Sequence, residues 1–294
     1  MVETEFQQTI QEPWFYLTAL TLFGLTVGSF LNVVIYRLPK VLQRGWKDEC
    51  CSLLEIEQAE KDRDEFNLAV PNSHCPKCNT PIKAYHNIPV LSYLALGGKC
   101  HACKVSISIR YPIVELASGL LCFALAWNFG ASLQTIALLF FTWALIALTM
   151  IDVDTMLLPD DITLPLMWAG LIINSFGLIT DFHSAFWGAV AGYGVLWAVF
   201  WLFKAVTGKD GMGYGDFKLL AAIGAWLGWQ SLPLVILLSS LVGAVIGISL
   251  IMFRNQDNQT PIPFGPYLAI AGWIAMMWGE AITSYYLRIS GINS

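Results

Sequence analysis

Charge is what this chain has least of. Asp, Glu, Lys and Arg make up 13% of its 294 residues, about half the share of an ordinary soluble domain. The deficit is concentrated in long runs. Segments 13–36 and 219–253 contain none of the four, and 112–151 contains only Glu115, near its start. Runs of this length exclude a large water-soluble core and imply a polytopic membrane protein. Histidine is scarce as well, with four copies. No Gly-x-Ser-x-Gly or His-Glu-x-x-His is present, which removes the serine-hydrolase elbow and the zincin helix from consideration. No Gly-x-Gly-x-x-Gly follows a strand either, so no nucleotide-type fold announces a cofactor. The first thirteen residues carry three Glu and no Lys or Arg, the wrong n-region for a cleavable signal peptide.

A membrane helix needs about 20 apolar residues. By that measure segment 13–36 is span one, and 112–151 is two spans broken near Asn128-Phe129-Gly130. Segments 162–180 and 182–203 are spans four and five. Segment 219–253 divides at Gly228-Trp229-Gln230-Ser231 into spans six and seven, with six beginning near Asp216, and 258–279 is span eight. The expected architecture is therefore an all-α polytopic membrane protein of about eight spans. Its expected parts are 1–36 (N-terminus and span one), 37–111 (a small soluble domain inserted between spans one and two) and 112–294 (a seven-helix membrane core).

Eleven of the sixteen Lys and Arg fall between Arg37 and Arg110, with eight acids among them. Basic loops favour the cytoplasm. That rule puts the inserted domain inside and the N-terminus outside, and alternation then places 152–161 and 204–218 inside. The outward loops near 130, 181 and 231 carry no Lys or Arg.

The inserted domain holds Cys75-Pro76-Lys77-Cys78 and Cys100-His101-Ala102-Cys103, with twenty-one residues between the pairs. Two such knuckles supply four thiolates, suited to one tetrahedral, structural zinc per chain. The gap is one residue beyond the usual ribbon spacing. Iron bound as in rubredoxin is the chemical alternative. A cytoplasmic location disfavours disulfides. His74, His86 and His101 read as surface or second-shell residues, and Cys50, Cys51 and Cys122 as non-ligands. A domain of this size buries little core, so the metal contributes directly to its folding.

Two aspartates stand where apolar runs meet polar loops. Asp152 opens Asp152-Val153-Asp154-Thr155-Met156-Leu157-Leu158-Pro159-Asp160, and Asp216 closes Gly211-Met212-Gly213-Tyr214-Gly215-Asp216. A carboxylate at the membrane face is costly and therefore a functional candidate. Asp154, Asp160 and Asp161 read as helix caps or loop residues. Gly213 and Gly215 lack a Cβ and are expected to admit another backbone, such as a substrate's, beside Asp216. Two carboxylates brought together share one proton, the division of labour of aspartic proteases.

These residues, in this order, resemble the bifunctional type IV prepilin peptidases. The opening stretch Gly28-Ser29-Phe30-Leu31-Asn32-Val33-Val34-Ile35-Tyr36-Arg37-Leu38-Pro39 is similar to that family's first motif. The four cysteines, Asn87-Ile88-Pro89 and Arg110-Tyr111-Pro112-Ile113-Val114-Glu115 are similar to its cytoplasmic region. Asp152 with Pro159-Asp160, and Gly213-x-Gly215-Asp216-x-Lys218, are similar to its two aspartate motifs. Presenilin-like proteases share the Gly-x-Gly-Asp element but lack the cysteine ribbon.

The resemblance implies an enzyme of the bacterial inner membrane, serving type IV pilus biogenesis or type II secretion. It implies cleavage of prepilins and pseudopilins after a glycine, at the cytoplasmic face, by Asp152 and Asp216. The new N-terminal residue is then N-methylated from S-adenosylmethionine. For that cofactor the stretch near Gly98 and the Glu115 region are candidate contributors, although Glu115 reads equally as a polar anchor at the start of span two. The bilayer is the other expected partner, and no nucleic acid is expected. Segment 45–70 is mixed in charge, helix-compatible and expected to be peripheral.

Overall fold

The computed structural model describes residues 13–56, 66–254 and 262–290. The middle of the mixed-charge segment (57–65), the first residues of the chain and the expected start of span eight at 258 lie outside the described residues. Among the described residues the regular structure is helical, apart from two isolated β-bridges.

The helices are α1 (Pro13–Leu53), α2 (Leu91–Ala95), α3 (Arg110–Phe129), α4 (Leu133–Thr155), α5 (Asp160–Ser175), α6 (Phe182–Thr207), α7 (Tyr214–Leu227), α8 (Leu232–Arg254) and α9 (Gly265–Ile289). Among the described residues, five stretches are long and apolar enough to cross a membrane: α1, α3, α4, α6 and 229–249, which includes most of α8. With 16 and 14 residues, α5 and α7 rise only about 24 and 21 Å at 1.5 Å per residue. The hydrocarbon layer is about 30 Å thick.

Helix α1 outlasts the apolar run that starts it. It passes Pro39 and continues through the basic stretch of Lys40, Arg44 and Lys47 to Leu53, because these long side chains are good helix formers. The expected break at Gly228 is real. Gly228 has φ +83°, a conformation that favours glycine, and a single 3-10 turn, Trp229–Ser231, leads into α8.

The chain forms two compact units, 1–131 and 132–294. In the first, α1 packs along α3. Gly24 and Gly28 of α1 have no room for a Cβ: one would lie 2.6 Å from Cys122 Sγ and the other 2.7 Å from the Glu115 Cα. Small residues four apart let two helices approach closely within a membrane. The Ser118 hydroxyl donates to the Gly24 carbonyl at 2.6 Å, and the Asn32 amide to the Tyr111 carbonyl at 3.1 Å.

In the second unit α7 is the central helix, packed by α5, α6 and α9. Every residue from Asp216 to Trp226, Lys218 aside, is buried. That explains why so short a helix is apolar all round. Gly188 of α6 and Gly224 of α7 meet backbone to backbone, and a Cβ on either would overlap the other's carbonyl oxygen. At the far end of α7, Asn174 donates to the Ala225 and Trp226 carbonyls at 2.9 and 3.0 Å and accepts from the Ile179 and Thr180 amides. It thus serves carbonyls that a helix end leaves unpaired.

Candidate functional sites

In the second unit, Asp152 occupies the last turn of α4. That helix closes on Met156 in the left-handed conformation, with the Met156 amide donating to the Asp152 carbonyl at 2.9 Å. Asp216 lies in the first turn of α7, after Gly213 at the N-cap. Packing brings Asp152 and Asp216, 64 positions apart in sequence, around one side chain: Leu158 meets both Gly215, next to Asp216, and Gly265, next to the Asp152 carboxylate. Both side chains are nearly closed to solvent, at 5% and 6% exposure. The last turn of a helix is an unfavourable place for an anion. At Asp152 this is offset by the amide of Gly265, the first residue of α9, which donates to Oδ2 at 3.0 Å. Asp216 Oδ1 is buried and has no hydrogen-bond partner among the described residues. A buried carboxyl oxygen with no donor is better suited to a protonated acid than to an anion.

The neighbouring acids separate from this pair. Asp160 is in the first turn of α5 and does not cap it. Both its oxygens receive Lys218 Nζ at 2.7 Å, which ties the start of α5 to the start of α7. Asp161 shares that turn. The space beside Gly215, expected to be open to another backbone, is taken by the Leu158 side chain, whose Cβ would lie 2.7 Å from a Cβ on Gly215. The same side chain reaches Gly265. Leu158 therefore packs between the turn that carries Asp216 and the turn that holds Asp152.

In the first unit, the four cysteine sulfurs lie within 4.8 Å of one another. The two knuckles repeat each other. Cys75 and Cys100 each donate their amide to a carbonyl five residues on, Thr80 and Val105, at 3.0 and 2.8 Å. Each accepts from the amide four residues on, Asn79 and Lys104, and both of those residues are left-handed. A bridge closes each knuckle, His74 to Pro81 and Lys99 to Ser106. Two sulfurs bound to one zinc at about 2.3 Å and a tetrahedral angle stand about 3.8 Å apart, and Cys75 Sγ lies 3.8 Å from Cys103 Sγ. The cluster can therefore hold a tetrahedral metal ion.

The hydroxyl and then the backbone of Thr80 bring the Cys78 thiol down to about 6. The backbone amides of Cys103 and then Ala102 lower Cys100. The Val105 amide favours the Cys103 thiolate too, but desolvation and the three neighbouring sulfurs outweigh it and push that thiol up to about 11. Metal binding needs thiolates, so a bound divalent cation displaces the protons that such thiols hold. The His86 and His101 rings lie against each other, centroids 4.8 Å apart and tilted by 32°, and are not members of the cluster.

The two candidate methyl-donor residues are placed differently. Glu115 is buried and accepts the Val90 amide at 2.8 Å, with Ser29 as a further partner. Val90 itself has φ +59°. Gly98 is left-handed, and a Cβ there would meet the Tyr93 ring at 3.0 Å.

Residues 22–129 match the bacterial peptidase A24 N-terminal domain, and 139–248 match the type IV leader peptidase family. A relative from Stutzerimonas stutzeri named prepilin leader peptidase/N-methyltransferase is 60% identical over 276 residues, 94% of this chain and 95% of that protein. The chain belongs to the prepilin leader peptidase/N-methyltransferase family. A family member from Pseudomonas aeruginosa is 57% identical over 281 residues, covering 96% of this chain and 97% of its own. One from Legionella pneumophila is 45% identical over 278 residues, covering 95% and 96%. No solved structure matches the chain.

The cysteines, Asp152 and Asp216 stand out in the sequence, whereas Gly265 and Leu158, which pack beside the carboxylates, do not. The signal for Gly265 is the Phe264-Gly265-Pro266 step that opens the last helix, and Leu158 carries no signal of its own.

Proposed function

We propose that this protein is a membrane aspartic endopeptidase that removes the leader of type IV prepilins and pseudopilins, with Asp152 and Asp216 as the catalytic pair, and then N-methylates the new N-terminal residue. One observation carries the peptidase reading: two nearly buried carboxylates from different helices, one held by an amide and the other with an orphaned oxygen. That asymmetry suits a dyad sharing one proton. Asp152, the ionised member, takes a proton from water as the water oxygen attacks the carbonyl carbon of the leader's last glycine. Asp216, the protonated member, gives its proton to the carbonyl oxygen. Collapse of the tetrahedral intermediate breaks the C–N bond: the proton on Asp152 passes to the departing amine, and one hydroxyl of the intermediate returns its proton to Asp216.

Counting the short α5 and α7 as spans packed within the protein, about eight spans put both aspartates at the cytoplasmic face of the inner membrane, with the N-terminus in the periplasm. Functionally the chain divides as 1–36, 37–111 and 112–294. A substrate helix already in the bilayer presents its leader junction at that depth. The quartet of Cys75, Cys78, Cys100 and Cys103 binds one structural zinc, a reading supported by the sulfur spacing.

S-adenosylmethionine is the methyl donor. Glu115 suits the role of an anchor for the Val90 turn, and Gly98 is proposed as a contributor to the methyl-donor region. Neither offers a donor set from which a methyl-transfer step follows.

The deciding experiment is prepilin cleavage in membranes by wild type, Asp152→Ala and Asp216→Ala. Undiminished processing by either variant would sink the mechanism.

A further inference from the structure

We infer that Gly265, at the start of α9, is a positioning residue for Asp152: its amide fixes Oδ2, and its missing side chain leaves the carboxylate the room to be there. The inference rests on the dyad reading above. The match to the leader-peptidase family model ends at residue 248, so Gly265 lies beyond the segment that carries both aspartates.

Three observations converge on it. First, α9 has a single amide to offer at this end. Pro266 has no N–H, and the Tyr267 and Leu268 amides close on the Phe264 carbonyl at 3.1 and 3.2 Å. The Gly265 amide donates to Asp152 Oδ2 at 3.0 Å, across 113 positions of sequence. The positive end of α9 thus meets the carboxylate at the negative end of α4.

Second, a Cβ on Gly265 would lie 2.7 Å from Asp152 Oδ2 and 3.1 and 3.2 Å from the Leu158 methyls. Its φ is not in the left-handed region, so glycine is required here by space and not by backbone conformation. Leu158 is 7% exposed and already pressed against Gly215, so it has little freedom to yield.

Third, the partner Asp216 leaves Oδ1 buried without a donor. With Oδ2 of Asp152 fixed by Gly265, the side-chain rotamer is set and so is the direction of its other oxygen. Displacing the carboxylate misaligns the pair.

The test uses the purified full-length protein in detergent with a prepilin substrate. Gly265→Ala is expected to lower kcat for cleavage by about 100-fold, the penalty of misplacing a reacting group by about 1 Å. KM stays within about threefold, and methylation of a pilin supplied already cleaved stays within about twofold. Gly279→Ala, on the same helix with its nearest neighbour at 3.8 Å, keeps wild-type kcat.

A wild-type kcat for Gly265→Ala overturns the inference, as does a loss of methylation as deep as the loss of cleavage. Asp152→Asn run in parallel separates the two claims. If Asp152→Asn still cleaves, the dyad reading fails and this inference with it. If Asp152→Asn is inactive while Gly265→Ala is not, only the positioning role fails.

Discussion

The cysteine quartet and the aspartate pair are both clusters of ionisable groups, yet they are assembled in opposite ways. Each half of the quartet is made by eight consecutive residues, 74–81 and 99–106, whose backbone bonds repeat from Cys75 to Cys100 with the same offsets. The aspartate pair has no local half. Asp152 and Asp216 come from two helices, and the amide that holds Asp152 comes from a third. A site of knuckles is robust to what the rest of the chain does, whereas a site of helix ends depends on every helix that sets their positions. The two sites should therefore fail differently when perturbed.

The sharpest contrast comes from the dyad itself. Asp152→Asn or Asp216→Asn should lower prepilin cleavage by about 1,000-fold, in the range for loss of a positioned acid or base. Metal content and thermal unfolding should be unchanged, as checked by elemental analysis and a melting curve in detergent. Dependence of the metal content on either aspartate would erase the distinction between the sites.

The reverse perturbation is Cys75→Ser with Cys100→Ser. Wild type should carry about one zinc per chain and the variant none, with the inserted domain cut first in limited proteolysis, since metal binding in so small a domain is folding energy. Stoichiometric iron in the wild type would overturn the zinc assignment.

A third perturbation reaches the dyad from a distance. Gly224→Ala forces a Cβ into the Gly188 carbonyl and should cost about 1–3 kcal/mol, the usual penalty for overpacking. Cleavage should fall with it while the metal content holds. Gly194→Ala, with nothing within 4 Å of the added carbon, is the control and should melt like wild type.

The smallest effect is expected at Lys218→Ala. Its pair with Asp160 has good geometry, but the side chains are 27% and 53% exposed, and exposed pairs contribute up to about 1 kcal/mol. Cleavage by this variant should drop less than tenfold in a side-by-side assay.

How much of this was legible in the sequence follows the same division. The helices are legible because charge-free runs have no other stable form in lipid. The break at Gly228 is legible because glycine tolerates its φ. The length of α1 is not, because the membrane boundary near Tyr36 ends an apolar run and not a helix. The shortness of α5 and α7 is equally hidden. The apolar residues of α7 face packed neighbours in the protein, and composition cannot tell that surrounding from lipid.

The sequence by itself determined the chemistry of both sites: four thiols in two repeated knuckles, and two carboxylates at the ends of apolar runs. It did so because ligand type, spacing and the cost of charge in lipid are properties of short segments. Only the tertiary structure decided that Leu158 fills the space glycine leaves beside Asp216, that Glu115 is occupied by the Val90 amide, and that Gly265 holds Asp152. These contacts join residues far apart in the chain, and close packing leaves room for one side chain or none at each of them.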